Sequence, residues 1–363
     1  MSRNTFEDVM CYTHFANNQK PKVEDCFWKV GLLFNHMNMA AEKCVEKSEY
    51  VSVDESMVKG KPTRFGFNVW VLATSNGETI RCDPYGGAKT KLFTYGLSQG
   101  PDVVYGLVED AKLVPGTKVA CDNLFTSLDL LDNMSKKGIG VVGTMRQNRL
   151  CTLFIPSMQQ AKKMKRGKKE ELYVSEDQVV VMWKNSAPVY MASNFADVFI
   201  SIEEKMEVDQ PNIIKVYNTH MGGVDLLDNM VSCYAITARN RKWYWALHNW
   251  FLNVSFVPAW RLYRKVGMVM GIKDNEKMPL LSFIRSCVEM TIMLHGESNT
   301  SHIHTLPALS PSTLADFRRD SGNHIVIKTP ERKNVCKHCK SRPSTGVADA
   351  ICQETPRTLE AWN

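Results

Sequence analysis

Apolar residues keep two different rhythms along this chain. Near the start they recur at helical spacing: Cys26, Phe27, Val30, Leu33, Phe34 and Met37 follow the i, i+3/i+4, i+7 pattern. Phe6, Val9 and Met10 predict a shorter helix before them, with Asn17-Asn18-Gln19-Lys20-Pro21 as the intervening turn. From Tyr50 the period falls to two. Phe65, Phe67, Val69 and Val71 alternate as in a half-buried strand, Asn76-Gly77 predicts a hairpin turn, and Thr79 to Cys82 the returning strand. Asp83-Pro84 reads as a turn. Thr117 to Cys121 is another short β run, Thr126 to Lys137 a helix ended by Gly138, and Ile139 to Thr144 a further strand. Strands followed by a strand–helix–strand unit predict a mixed α/β core.

Residues from about 150 to 212 read as an insertion. It opens on the cationic stretch Lys162-Lys163-Met164-Lys165-Arg166-Gly167-Lys168-Lys169 and carries two β runs, Gln178 to Trp183 and Pro188 to Ala192. After Asp228 the helical rhythm returns. Trp243, Leu247, Trp250, Phe251, Val254 and Val257 form an apolar stripe that Pro258 should bend or end, and Pro279 to Leu294 predicts another helix. Gly296 to Ser321 is polar with scattered proline and reads as linker.

A chain of 363 residues accommodates two or three modules. With 44% hydrophobic and 23% charged residues it fits a globular protein and excludes a disordered one. The net charge of +7 suits an anionic partner without specifying one. Eleven cysteines are an odd number, and Cys26, Cys121 and Cys287 sit in apolar runs, which points to free thiols in a reducing compartment. The first residues lead into an amphipathic segment rather than a secretory apolar core, and no run of 18 apolar residues predicts a membrane span.

Three acidic words carry the candidate chemistry: Val53-Asp54-Glu55-Ser56-Met57, Cys121-Asp122-Asn123-Leu124-Phe125-Thr126-Ser127 and Gly222-Gly223-Val224-Asp225-Leu226-Leu227-Asp228. Asp54 and Asp122 each follow a β run, and strand ends are where α/β folds let side chains converge. Aspartate is equally a common turn former and helix cap. Asp225 and Asp228, three apart, share a face if Val224 onward is helical, and repel unless a cation sits between them. Acidic residues also satisfy helix N-termini.

The three words in order, with an Arg/Lys/Trp block after the last, resemble the piggyBac transposase family over about Met1 to Cys339. The resemblance implies an α/β, ribonuclease H-like catalytic core at 49–231 with the β-containing insertion at 150–212. A split helical DNA-binding and dimerisation domain would flank it, at 1–48 and 232–295. Beyond these come a linker at 296–330 and a remnant cysteine-rich tail at 331–363. It implies Asp54, Asp122 and Asp225 as ligands of two Mg²⁺ ions, with Asp228 as an additional acidic position. It further implies DNA cleavage and joining at TTAA targets, transposon ends as partners, a homodimer, and a nuclear location.

Arg239-Asn240-Arg241-Lys242-Trp243-Tyr244-Trp245 sets three cations beside three aromatics, a composition that suits phosphate contacts with base or sugar packing. Arg239, Arg241 and Lys242 are the candidate DNA contacts, and Lys165 and Arg166 in the cationic stretch are a second set, against the alternative of a solvated surface. Cys336 and Cys339 form a C-x₂-C pair, half of a zinc site, which needs His338 or distant ligands to close. The chain departs from the family pattern in three places. It begins within the amino-terminal region, lacks a short segment between Met57-Val58 and Lys59-Gly60-Lys61-Pro62, and has an incomplete cysteine-rich tail. Two expectations follow: a transposase or its catalytic fragment, or a non-catalytic, domesticated DNA-binding derivative.

Overall fold

The computed structural model describes residues 2–19, 25–58, 66–87, 95–150, 153–195, 200–201, 210–236, 238 and 242–295. Met1–Met290 form one compact unit and Thr291–Asn363 a second, of which only 291–295 are described. Arg239, Arg241, the Lys59–Arg64 word, the linker, and Cys336 and Cys339 lie outside the described residues.

Eight strands of the first unit form a single sheet: β1 (Tyr50–Val58), β2 (Phe67–Thr74), β3 (Thr79–Pro84), β4 (Lys118–Cys121), β5 (Gly140–Thr144), β6 (Lys169–Tyr173), β7 (Val179–Lys184) and β8 (Pro188–Ser193). Their order is β3-β2-β1-β4-β5-β8-β7-β6. β1, β4 and β5 run parallel, while β2 and β3 pair antiparallel on one side and β8, β7 and β6 on the other. The strands of the 150–212 segment therefore continue the central sheet. The cationic stretch is not one loop: it spans the helix α5 (Met158–Lys163), a turn holding Lys165 and Arg166, and the start of β6. Arg166 Nε donates to Asn185 Oδ1 at 3.0 Å.

The Asn76-Gly77 hairpin forms as expected, with Gly77 at φ +80°. β2, however, is buried on both faces: Val69 and Val71 enter one core, Trp70 and Leu72 another. Asp83-Pro84 is not a turn but the end of β3. Tyr85 donates its N–H to Asn68, which directs the Pro84 nitrogen to the open edge, where no donor is needed. At that edge the buried Asn38 amide both donates to the Cys82 carbonyl and accepts from the Cys82 N–H, each at 3.0 Å.

Helices α1 (Arg3–Tyr12) and α2 (Gly31–Cys44) precede the sheet. α2 starts five residues later than the apolar rhythm predicts. Asp25 Oδ1 accepts from the Phe27 N–H at 2.8 Å and closes turns in which Phe27 and Val30 are buried without being helical, while Cys26 is exposed. α3 (Gln99–Asp110) and α4 (Leu128–Ser135) cover the face of Val51 and Val53. The opposite face carries α6 (Asn212–His220), α7 (Gly223–Cys233) and α8 (Trp245–Val269). The stripe Leu247, Trp250, Val254, Val257 packs there against Phe34, Val69 and Leu227. α8 runs through Pro258, whose nitrogen has no proton to donate to the preceding turn. α9 (Leu280–His295) follows. No helix among the described residues is long and apolar enough to cross a membrane.

Candidate active site

Alternation along β1 decides which way Asp54 faces. Val51 and Val53 pack toward α3 and α4, so Ser52, Asp54 and Ser56 face the other way. On β4, Val119 and Cys121 join the core of Val51 and Val53 and Ala120 the α6 side, so Asp122, the next residue, emerges on the α6 side. The strands are parallel neighbours with Val53 opposite Cys121. The two aspartates thus leave adjacent strands at one level, on one face, across a strand spacing of about 4.8 Å.

Asp225 joins them through α7, which packs on β1 and β2 beginning at Gly223. A side chain at Gly223 would meet the Thr74 carbonyl oxygen at 2.4 Å and Ser52 Oγ at 2.6 Å, so only glycine lets the helix start this close to the sheet. Asp225 lies in the first turn and is exposed. Asp228, one turn on, accepts from Ser56 Oγ at 2.6 Å. The corner before α7 is pinned as well: the His220 ring stacks on Tyr50 with centroids 3.7 Å apart and shares a 3.1 Å hydrogen bond with Ser75 Oγ.

One oxygen of Asp54 accepts from the Glu55 N–H at 2.8 Å, and one oxygen of Asp122 from the Leu124 N–H at 2.7 Å. Burial pushes the Asp54 carboxyl up to about 6, and the negative charges of Asp122 and Asp225 add to the shift against the Glu55 hydrogen bond. Burial likewise raises Asp228, with Asp225 adding and Ser56 opposing. Among the described residues none of the four aspartates is in an ion pair. Among them, too, no three acidic, His or Cys side chains stand close enough together to ligate one ion. The donor set, carboxylate oxygens that repel one another at Asp54, is that of a hard divalent cation.

The sequence model of the family described as Transposase IS4 matches residues 1–260. This chain belongs to that transposase family. It is 29% identical to the human PiggyBac transposable element-derived protein 3 over 93% of its own length and 59% of that protein's. With the human PiggyBac transposable element-derived protein 2 it shares 28% identity, over 94% of this chain and 60% of that one. It therefore spans about three-fifths of the length of each of these two relatives. A cryo-EM structure titled piggyBac transposase synaptic complex with hairpin DNA has the same fold, with a TM-score of 0.70 and 21% identity, over 97% of this chain and 80% of that one.

Several side chains around the carboxylates of this transposase-family chain have no signature in the acidic words. Arg149, after β5, donates to the carbonyl oxygens of Leu124 at 2.9 Å, Asn123 at 3.3 Å, and Thr126, gathering the loop that follows Asp122. Arg146 Nε donates to Asn123 Oδ1 at 2.9 Å. The spacing of the two arginines, three apart just beyond a strand, was the readable signal. Tyr217 on α6 packs against the cluster of Ala120, Val142 and Ile213. Burial pushes its hydroxyl up to about 12, with smaller contributions from Cys121, Asp122 and Asp54. Of the three cations of the basic block only Lys242 is described, and its Nζ donates to the Thr13 carbonyl at 2.7 Å, tying the approach to α8 to the segment after α1.

Proposed function

We propose that this chain carries the catalytic core of a piggyBac-like DNA transposase, in which Asp54, Asp122 and Asp225, with Asp228 beside them, hold divalent metal ions for DNA strand cleavage and transfer. The observation that carries this reading is the delivery of three carboxylates to one face, from two adjacent parallel strands and the first turn of a helix fixed by Gly223. The order β3-β2-β1-β4-β5, with β2 alone running against the other four strands, supports a ribonuclease H-like core. A pair of ions there would supply a metal-activated nucleophile and charge for the leaving oxygen of an in-line displacement at phosphorus. The chain's own residues do the rest. Asp54 and Asp122 each fix one carboxylate oxygen on a backbone N–H, Arg149 holds the Asp122 loop, and α7 sets the depth of Asp225.

DNA as partner is supported by the fold shared with a transposase solved on hairpin DNA, and by the cations Arg239, Arg241 and Lys242 that precede α8 in the sequence. TTAA target choice, two Mg²⁺ ions, a homodimer and a nuclear location belong to the same reading.

The deciding experiment uses hairpin-forming transposon-end DNA with Mg²⁺ or Mn²⁺. Wild type nicks, and Asp122→Asn does not, because the amide keeps the shape but loses the charge that attracts the ion. Both bind the DNA equally without metal, since phosphate contacts lie elsewhere. Nicking by Asp122→Asn would remove Asp122 from the site. DNA binding by wild type without nicking under either metal would make the chain a non-catalytic derivative.

A further inference from the structure

Ser56 stands two residues beyond Asp54 on the same face of β1 and is buried, 1% exposed. Its hydroxyl meets two groups that are distant in sequence. Trp250 Nε1 of α8 lies 3.2 Å away and Asp228 Oδ1 of α7 lies 2.6 Å away. An indole N–H only donates and a carboxylate only accepts. The hydroxyl is therefore oriented: Trp250 donates to Ser56, and Ser56 donates to Asp228. Trp250 is itself fixed, 6% exposed and stacked on Phe34 with centroids 5.8 Å apart. The chain of donors thus runs from the packed helical layer, by way of a β1 side chain on the same face of the sheet, to one carboxylate of the candidate site.

We propose that Ser56 and Trp250 are positioning residues that hold the Asp228 carboxylate in one orientation beside Asp225. The proposal rests on the metal-binding reading for its functional consequence and not for its geometry. Without Ser56 the Asp228 oxygen loses its donor, and the side chain is free to turn away from β1 toward Asp225 and solvent. Without Trp250 the hydroxyl loses the donor that fixes its rotation and can offer its proton elsewhere. Removing partners that orient metal-ligand side chains commonly weakens metal affinity about 10–100-fold. Asp228 is the additional position rather than one of the three principal ligands, so the lower end, about tenfold, is expected.

Two measurements test this on the whole chain. In ¹H–¹⁵N spectra the indole resonance of Trp250, assigned by its loss in Trp250→Phe, should shift in Ser56→Ala and return in Ser56→Thr, which restores the hydroxyl. A crystal structure of Ser56→Ala should show the Asp228 carboxylate reoriented. An unmoved indole resonance, or an Asp228 carboxylate unchanged without the hydroxyl, overturns the proposal whether or not the protein binds metal. In Mn²⁺ titrations Ser56→Ala and Trp250→Phe should bind about tenfold more weakly, with Ser56→Thr recovering wild-type affinity at equal thermal stability. Wild-type affinity in Ser56→Ala overturns the functional half. No Mn²⁺ binding by wild type refutes the metal reading, and the spectroscopic and crystallographic arms then decide the positioning alone.

Discussion

Two adjacent glycines open α7, and they are not equivalent. Gly222 has φ −73° and nothing within 4 Å of where a Cβ would stand. At Gly223 the same Cβ would overlap the Thr74 carbonyl oxygen at 2.4 Å and Ser52 Oγ at 2.6 Å, and the first of these is backbone inside the sheet and cannot swing aside. Ordinary contact needs about 3.4 Å or more, so Gly223→Ala must lift the start of α7 by roughly 1 Å. Overpacking of this kind costs about 1–3 kcal/mol, and the lift carries Asp225 away from Asp54. Gly222→Ala should cost less than about 1 kcal/mol, the scale of a helix-cap change. Urea denaturation of the two variants side by side gives the stability difference, and Mn²⁺ titration gives the consequence for the site. Equal stability and equal Mn²⁺ affinity in both variants would refute the argument that Gly223 sets the depth of the helix.

Asp83→Asn tests a buried carboxyl away from the site. Burial raises Asp83 to about 6 despite its Arg81 partner. A folded-state value above the ordinary one means that its stabilising contribution is complete below about pH 4 and is lost as pH rises through 6. From pH 4 to pH 7 the wild type should lose roughly 3 kcal/mol through this group, so stability profiles of wild type and Asp83→Asn that run parallel over that window would count against it. Arg149→Ala leaves the Leu124 and Thr126 carbonyls without their donor and should cost about 1–3 kcal/mol, with faster proteolysis between 122 and 127; an unchanged digestion pattern would count against the clamp. Replacing Arg239, Arg241 and Lys242 together by Ala should lower the salt dependence of DNA binding by up to about three counterions, and an unchanged slope would leave these side chains a structural role alone.

What could be read from the sequence depended on how local the cause was. The hairpin at Asn76-Gly77, the strand ends before Asp54 and Asp122, and the helix bearing Asp225 and Asp228 are set by period and turn chemistry within a few residues. α3 was not predicted. Its apolar residues Val103, Val104, Leu107 and Val108 share a face, but Gly100, Pro101 and Gly106 mask the helical pattern. Gly100 is there because the Leu124 carbonyl would come within 2.2 Å of a Cβ. Asp83-Pro84 misleads because an edge strand tolerates a proline that a central strand does not, and edge position follows from topology. Pro258 misleads because packing on both sides of it carries α8 onward. Around the carboxylates, Ser56 reaches Asp228 across 172 positions and Trp250 across 194, distances that no periodicity spans.

The sheet ends in two different ways, and each has a consequence for assembly. At β6 the edge opens on Lys168, Lys169, Glu170 and Glu171, joined in the ion pairs Lys168–Glu170 and Lys169–Glu171. A strand offered to that edge would have to displace charges from water. At β3 the Asn38 amide already occupies the outward N–H and carbonyl of Cys82, standing where a neighbouring strand would bond. Asn38→Leu would leave that N–H and carbonyl without their partner, with α2 still packed along the strand. Growth of the sheet from chain to chain is thus opposed by charge at one end and, at the other, by a helix whose buried amide takes the place of a strand's backbone.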